Sequence, residues 1–506
     1  MNLQRATQSA GAPNRQQRRL AARQQKKATR RGGGVTSSLD RMLSQAVALR
    51  EAGRPRDALQ TYQQILNQRP DHLEALNCAG LSAYQLGDCN LTIRLLRSVI
   101  THKPDFAAAH SNLGNAFAMT GRTDEALAAY RRAIEIAPKD ANAHYNLGAT
   151  LQAARRFEAS KAAYRTAIAL RPAHVESYAN LATVLYEIGD LGAMETTCRQ
   201  AIALWPNDPF AHTDLGLALL TGGARDEAEM ALRRAVEVDP SYGRAHYYLG
   251  QILFREHDPQ PAVSCFEEAL RAGPASNLPH LFLGVTCDLR GEAEAAAQHF
   301  DALTRRPEKS DHLIDSWTYV KSNRTAETRL LSDSFETLQH ALDCAQIDGL
   351  AVEFGVRFGN SLNFLAGQLA QEVHGFDSFQ GLPESWDESE PGLYTTGGQL
   401  PQVETNVRLH VGLFADTLPS FAAEHPGPIR FMNVDCDIYS STKTIFDHLA
   451  ERIVPGTVIV FDEYLLNPNW REDEFKAFQE AARDRAWTYE YLAFNLFTKQ
   501  AVVRIL

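Results

Sequence analysis

The chain has 506 residues, 44% of them hydrophobic and 22% charged, an ordinary globular balance with room for two to four domains. Its net charge is −10, yet residues 1–38 hold nine Lys/Arg and no Asp or Glu, so the rest carries 42 basic against 61 acidic residues. An acidic body argues against nucleic acid as the main partner, and the lack of any run of 18 apolar residues excludes a membrane-spanning helix.

Taken in order, residues 1–38 have no apolar segment of a secretory signal; their Arg-rich, acid-free composition is open to an organelle transit peptide or a basic tail touching acidic surfaces or RNA, and the reading adopted is a solvated basic tail ending at Gly32-Gly33-Gly34. Seven scattered cysteines, an odd number without metal-ligand spacing, fit a reduced cytoplasm, and the expected location is cytoplasmic.

Residues 39–310 repeat. Pro70, Pro104, Pro138, Pro172, Pro206, Pro240 and Pro274 are each 34 apart. Leu113-Gly114, Leu147-Gly148, Leu215-Gly216, Leu249-Gly250 and Leu283-Gly284 keep the same register, as do Tyr62, Tyr130, Tyr164, Phe266 and Phe300. Small residues let two helices approach, an aromatic fills the gap between repeats, and proline stops the second helix. Arg155 and His257 depart from the turn glycine, and Ala182 from the Leu-Gly glycine. The pattern resembles the tetratricopeptide repeat and predicts an all-α solenoid of about eight repeats, 39–72 through 277–310.

A solenoid of this kind presents a concave face suited to an extended protein or peptide partner. Asn112, Asn146 and Asn180 recur just before the Leu-Gly slot. They resemble the asparagine ladder of the O-linked N-acetylglucosamine transferase repeats, which implies peptide-backbone binding; satisfying turn or neighbouring-helix groups is the equal alternative. His110, His144, His212, His246 and His280 also recur, two residues earlier, and read as packing rather than metal ligands.

Residues 311–332 read as a polar junction that Trp317 and Tyr319 dock onto a neighbour. From 333 to 506 the pattern becomes strand–helix alternation. Leu350–Gly355 is a strand, Val356–Ser361 a glycine-bearing turn, and Glu372–Asp377 a strand ending in acid. That succession is the first half of a nucleotide-binding α/β unit, although E-x-G-x-x-x-G is not the dinucleotide fingerprint. Segment 384–406, with Trp386, Asp387, Glu388, Glu390 and Tyr394, is a long irregular insertion, read as a lid or as acidic surface.

Phe431–Asp435 and Gly456–Asp462 are apolar strands that also end in acid. If 435–437 are extended, Asp435 and Asp437 share one face. If the strands are neighbours, these two converge with Asp462 and Glu463. Four carboxylates at one rim need a cation or raised pKa values; two separate solvated strand ends are the open alternative. Cys436, between the first two, points away into the core. Two further strands, Thr488–Leu492 and Leu496–Ile505, read as an antiparallel hairpin.

Seven strands with the last reversed resemble the class I S-adenosylmethionine-dependent methyltransferase fold, a Rossmann-like α/β sheet. Five ordered blocks then resemble the macrocin-type sugar O-methyltransferases: Glu353–Ser361, Gly375–Pro383, Gly412–Pro419, Asp435–Thr444 and Val460–Tyr464. That resemblance implies S-adenosylmethionine at Glu353, Gly355, Gly359, Ser361 and Asp377. It implies Mg²⁺ on Asp435, Asp462 and Glu463, and Asp437 as general base toward a sugar or glycan hydroxyl. The reading is a metal-dependent O-methyltransferase whose repeats recruit the acceptor or a partner. The alternative is a repeat scaffold with an idle methyltransferase-like domain.

Overall fold

The computed structural model describes residues 38–273, 277–305, 310–386 and 391–506. The basic tail to residue 37, Pro274, Asp387, Glu388 and Glu390 lie outside the described residues. Backbone contacts divide the chain after Val184 into two compact units.

The first unit is helical. Helices α1 (Ser38–Glu51), α2 (Pro55–Gln68), α3 (Leu73–Gln85), α4 (Cys89–His102), α5 (Ala107–Met119), α6 (Thr123–Ile136), α7 (Ala141–Ala153) and α8 (Phe157–Leu170) form successive antiparallel pairs, and α9 (Val175–Ile188) begins the next. The repeat slots explain the pairing. A Cβ on Gly114 would lie 2.6 Å from the Tyr130 ring, and one on Gly148 2.8 Å from Tyr164, so each aromatic tucks under the glycine of its own repeat. The recurring histidines serve the turns: the Nε2 of His110 and of His144 donates to the carbonyls of Pro104 (2.9 Å) and Pro138 (3.0 Å). Each imidazole thus satisfies a carbonyl at the helix end that proline creates.

The second unit continues the pairs and then changes class. Helices α10 (Leu191–Leu204), α11 (Pro209–Thr221), α12 (Arg225–Val238), α13 (Gly243–Leu253), α14 (Gln260–Arg271), α15 (Leu278–Leu289) and α16 (Ala293–Thr304) are followed by α17 (Asp311–Asn323). The polar junction of 311–332 is therefore largely a helix. Trp317 Nε1 donates to Asp288 Oδ2 at 2.7 Å and Tyr319 Oη meets Tyr491 Oη at 2.6 Å. The polar residues that hid this helix are its outward face.

The sheet has eight strands: β1 (Arg329–Leu331), β2 (Leu350–Phe354), β3 (Val373–Asp377), β4 (Val407–Val411), β5 (Ile429–Val434), β6 (Val458–Phe461), β7 (Tyr489–Asn495) and β8 (Gln500–Ile505). Their order is β1-β7-β8-β6-β5-β2-β3-β4, parallel except where β8 runs against β6 and β7. Strand β1, three residues against β7, joins the seven expected. Five further helices flank the strands: α18 (Ser334–Cys344), α19 (Asn360–Gln368), α20 (Phe414–Glu424), α21 (Tyr439–Leu449) and α22 (Glu474–Asp484).

One core runs from the late repeats into the sheet. Phe266, Phe282, Leu303 and Trp317 belong to the same buried cluster as Phe354, Val434, Phe461 and Phe494. At its margin the half-buried ring of Phe497 stacks on Phe282, 3.8 Å apart and 5° from parallel. Among the described residues no helix is long and apolar enough to cross a membrane.

Candidate active site

The chain runs outward from β2 through β3 to β4 and then returns to β5 on the other side of β2, so the strand order reverses there and a crevice opens past the carboxyl ends of β2 and β5. Gly355 follows β2 with φ +91°, and a Cβ there would lie 1.6 Å from the Asp435 carbonyl oxygen. Only glycine allows the turn after β2 to meet the turn after β5 this closely.

Asp377 ends β3 and braces that turn. Its Oδ2 accepts from the backbone N–H of Val356 and Arg357, both at 2.8 Å, and Oδ1 from Phe379 N–H at 2.6 Å. Three donors leave Oδ1 one lone pair for a ligand. Glu353 points into the interior, fully buried. Its two oxygens accept from Ser361 Oγ (2.8 Å) and Asn433 Nδ2 (3.1 Å). Burial pushes its carboxyl up to about 8 against these two hydrogen bonds. The Oδ1 of Asn433 is buried without a partner. Gly359 takes φ +76° at the start of α19, beside Pro401.

The acid pair departs from the expected geometry. Strand β5 stops at Val434, and Asp437 has φ +62°, so residues 435–437 are not extended. Ile438 N–H donates to the Cys436 carbonyl at 2.7 Å, a γ-turn with Asp437 at its centre. A left-handed residue other than glycine in such a turn holds strain of order 1–3 kcal/mol. Both acids still reach the crevice, because the reversal brings back what strand alternation would have provided. Burial, then Glu463 and Asp462, raise the Asp437 carboxyl to about 8. Burial and Asp462 raise Asp435 well above the carboxylate range. Asp462, after β6, accepts from Gln500 Nε2 at 2.6 Å and is raised to about 7, chiefly by burial. Cys436 packs in the core, its thiol 3.3 Å from Thr442 Oγ1.

Glu463 is compensated within the chain. Lys499 Nζ donates to its Oε2 at 2.9 Å and to Asn467 Oδ1 at 2.8 Å, and Asn467 also bonds to Glu463. Among the described residues no three of these acids offer oxygens all within 4.8 Å of one another. Mg²⁺ demands a near-octahedral oxygen set at 2.0–2.1 Å. As placed, Asp435, Asp462 and Glu463 do not fit it, since one is held by Lys499 and another by Gln500.

Two clefts meet at the acids. The smaller, about 540 Å³, is lined by Gly355, Asp377, Gly412, Asp435 and Asp437. The larger, about 1890 Å³, takes Asp435, Asp462, Glu463 and Ser361, and also Tyr186, Tyr247 and Tyr248 from helices α9 and α13. All of these belong to the second compact unit. Late repeats therefore supply part of the wall.

Asn112, Asn146 and Asn180 lie in the first unit. Their Nδ2 groups donate to Asn77 Oδ1 (3.3 Å), Asn115 Oδ1 (3.1 Å) and Tyr145 Oη (3.1 Å), so each spends an N–H on a neighbouring repeat.

Sequence reasoning passed over four residues. Glu474, buried on α22, accepts from Cys436 N–H (3.4 Å) and Glu463 N–H (3.2 Å), tying the turns after β5 and β6 together. Arg357, at φ +46°, donates to the Ile188 carbonyl at 2.6 Å and lies 4.3 Å over the Tyr394 ring. Tyr394 lines both clefts and sits in the insertion, so this part of the insertion is packed against the site. Lys499, in the β7–β8 turn, had no signal. Asn433 had one: an amide between the apolar residues Phe431, Met432 and Val434.

A family model described as "Methyltransferase domain" matches residues 352–464. Models described as "TPR repeat" and "Tetratricopeptide repeat" match 120–154 and, respectively, 43–89, 145–209, 213–277 and 253–310. A curated relative from Streptomyces olivaceus, 8-demethyl-8-(2,3-dimethoxy-alpha-L-rhamnosyl)-tetracenomycin-C 4'-O-methyltransferase, is 29% identical over 170 residues. The alignment covers 28% of this chain and 64% of that protein, so the chain spans under two thirds of the relative's length. Among solved structures, YrrB, a TPR protein with an unusual peptide-binding site, is 22% identical with a TM-score of 0.32, covering 36% of this chain and 95% of that one. PilF of Pseudomonas aeruginosa is 20% identical with a TM-score of 0.37, covering 42% and 97%.

Proposed function

We propose, for a chain that carries tetratricopeptide repeats and a methyltransferase domain, an S-adenosylmethionine-dependent O-methyltransferase acting on a sugar hydroxyl, with the late repeats helping to hold the acceptor. The observation that carries this reading is Asp437. It is a buried carboxyl at about 8, held in a strained turn at the floor of the cleft where the strand order reverses. Strain of this kind persists where surrounding structure over-determines it, and clusters at working sites.

The residues present fit the cofactor. The Gly355 turn lines the smaller cleft, Asp377 keeps a lone pair, and Asn433 Oδ1 is a buried acceptor without a partner. When bound, S-adenosylmethionine supplies a sulfonium-borne methyl group open to in-line displacement. Glu353, Gly355, Gly359, Ser361 and Asp377 are the residues assigned to hold it. Asp437 takes the proton from the acceptor hydroxyl. A carboxyl near 8 is matched to that task, since proton transfer is most efficient near the working pH. Glu474 fixes the two acid-bearing turns, and Arg357 spans the cofactor turn and the α9 carboxyl end.

The sugar rests on the relative, whose name places its methyl group on a rhamnosylated tetracenomycin. It also rests on the larger cleft, where tyrosine rings and carboxylates together suit a carbohydrate. In the first unit we assign Asn112, Asn146 and Asn180 to an extended peptide partner through their remaining valences.

Asp437→Asn tests the reading. With labelled cofactor and methyl α-L-rhamnoside or rhamnosylated aglycones as acceptors, turnover falls 10²- to 10⁴-fold while cofactor binding is kept. Unchanged turnover removes Asp437 as the base. Chelator leaves cofactor binding intact, because the acids are not a preformed ligand set; loss of binding would restore the metal to the site.

A further inference from the structure

At the far end of the sheet, where β3 begins, a second group of ligating side chains comes together. Glu372, His374 and His425 each present a ligand atom, and these atoms lie within 4.8 Å of one another. Among the described residues this is the one such group of three. Glu372 precedes β3 and is exposed, His374 is the second residue of β3 and is buried, and His425 caps the carboxyl end of α20. Asp377, which braces the cofactor turn, is three residues along the strand from His374, about 10 Å away. The group is separate from the acids of the clefts.

We propose that Glu372, His374 and His425 form a binding site for a divalent cation of the zinc type. Two imidazoles and one carboxylate are a composition that suits zinc with a fourth position left to solvent. The surroundings are those of a built site. Glu372 Oε2 is 3.8 Å from His374 Nε2, while its Oε1 is held by Arg408 Nε at 2.7 Å. On its other side, His374 Nδ1 lies 3.2 Å from His410 Nε2. If His374 donates there, its Nε2 lone pair faces Glu372, the tautomer a metal needs. Outer partners that fix a ligand's orientation in this way are a regular part of metal sites. His425 supplies an independent sign. Its Nδ1 is buried and has no hydrogen-bond partner, although its ring is fixed by stacking on Phe421, 4.8 Å away. A buried ring nitrogen without a partner is a cost that a ligand would remove.

Tetrahedral zinc with bonds of 2.0–2.1 Å sets its ligand atoms about 3.3 Å apart. Closing from 4.8 Å asks for a shift of about an ångström, within reach of the exposed Glu372 side chain. Arg408, His410 and Arg452, whose guanidinium donates to the His425 carbonyl, are the other basic groups at the site, and Glu424 lies close by; Arg408 offsets part of the Glu372 charge, so affinity rests mainly on the two imidazoles. A bound ion would clamp the start of β3 to the end of α20, an edge of the sheet otherwise closed only by β4.

The test uses the full-length chain without an affinity tag, stripped with chelator and desalted. Zn²⁺ is titrated by calorimetry and Co²⁺ by visible absorption. The expected result is one equivalent bound, with intense tetrahedral cobalt bands and a melting temperature raised by zinc. His425→Gln loses that equivalent, and Glu372→Gln, a change at an exposed position, weakens it by about tenfold or more. Failure of the wild type to take up an equivalent overturns the proposal. So does uptake that both variants retain, which would put the ion on thiols or on the acids of the clefts.

Discussion

The two compact units carry backbone strain differently. Among the described residues, the first unit has one non-glycine residue at positive φ, Arg155, in a repeat turn where the unit's other repeats place Gly53, Gly87 and Gly121. The second has seven, and four of them, Arg357, Tyr394, Asp437 and Lys499, line the clefts. In the repeats the left-handed residue is a departure from a rule that would be cheaper to follow. Around the clefts it aims side chains where regular strands would not. Strain that is accidental and strain that serves a site can therefore be separated by what its removal does.

The largest effect tests how far the second unit is one body. A chain of residues 311–506 leaves Phe497 without Phe282 and opens the shared core, so it does not fold as measured by circular dichroism and size exclusion. A chain of 173–506 folds and binds cofactor. If 311–506 folds alone, the shared core is not required. Within the full chain, Phe282→Ala, at a site 1% exposed, costs about 3–5 kcal/mol in denaturant unfolding.

Next comes the buried acid Glu353. Its folded carboxyl, about 8, stands above its ordinary value in the unfolded chain. Between pH 4.5 and 8 the native state keeps a proton that the unfolded state has released, so stability falls as pH rises through this window and levels off above it. Glu353 contributes at most about 1.4 kcal/mol per pH unit. Glu353→Gln flattens that part of the slope in pH-dependent melting and raises stability at pH 8.

The smallest effects separate the two kinds of strain. Arg155→Gly stabilises by about 0.5–1 kcal/mol, with turnover unchanged. Asp437→Gly relieves strain of about 1 kcal/mol and removes a buried acid, so it also raises stability, yet it abolishes turnover. Equal activity in both variants would erase the distinction between the two kinds of strain.

The repeats were readable because a 34-residue period puts the same steric demand at the same slot: Gly114 must be small because Tyr130 lies on it. The strand ends Asp377, Asp435 and Asp462 were readable because short strand-like runs end in acid, in order, after the glycine turn. What escaped depended on tertiary contact. Helix α17 hid behind its polar face, and β1 has only three residues. The shared face of Asp435 and Asp437 was inferred from strand alternation, and the chain turns one residue too early for that. Glu474 lies in Arg471-Glu-Asp-Glu474, where nothing marks one acid as buried among exposed ones.

The central claim is a working cofactor pocket beside the acids. Calorimetric titration of the full-length protein with S-adenosylmethionine tests it most directly. One molecule binds per chain, with and without chelator, and binding is preserved in Asp437→Asn. No binding in either condition would contradict it and leave the repeats as the functional part of the chain.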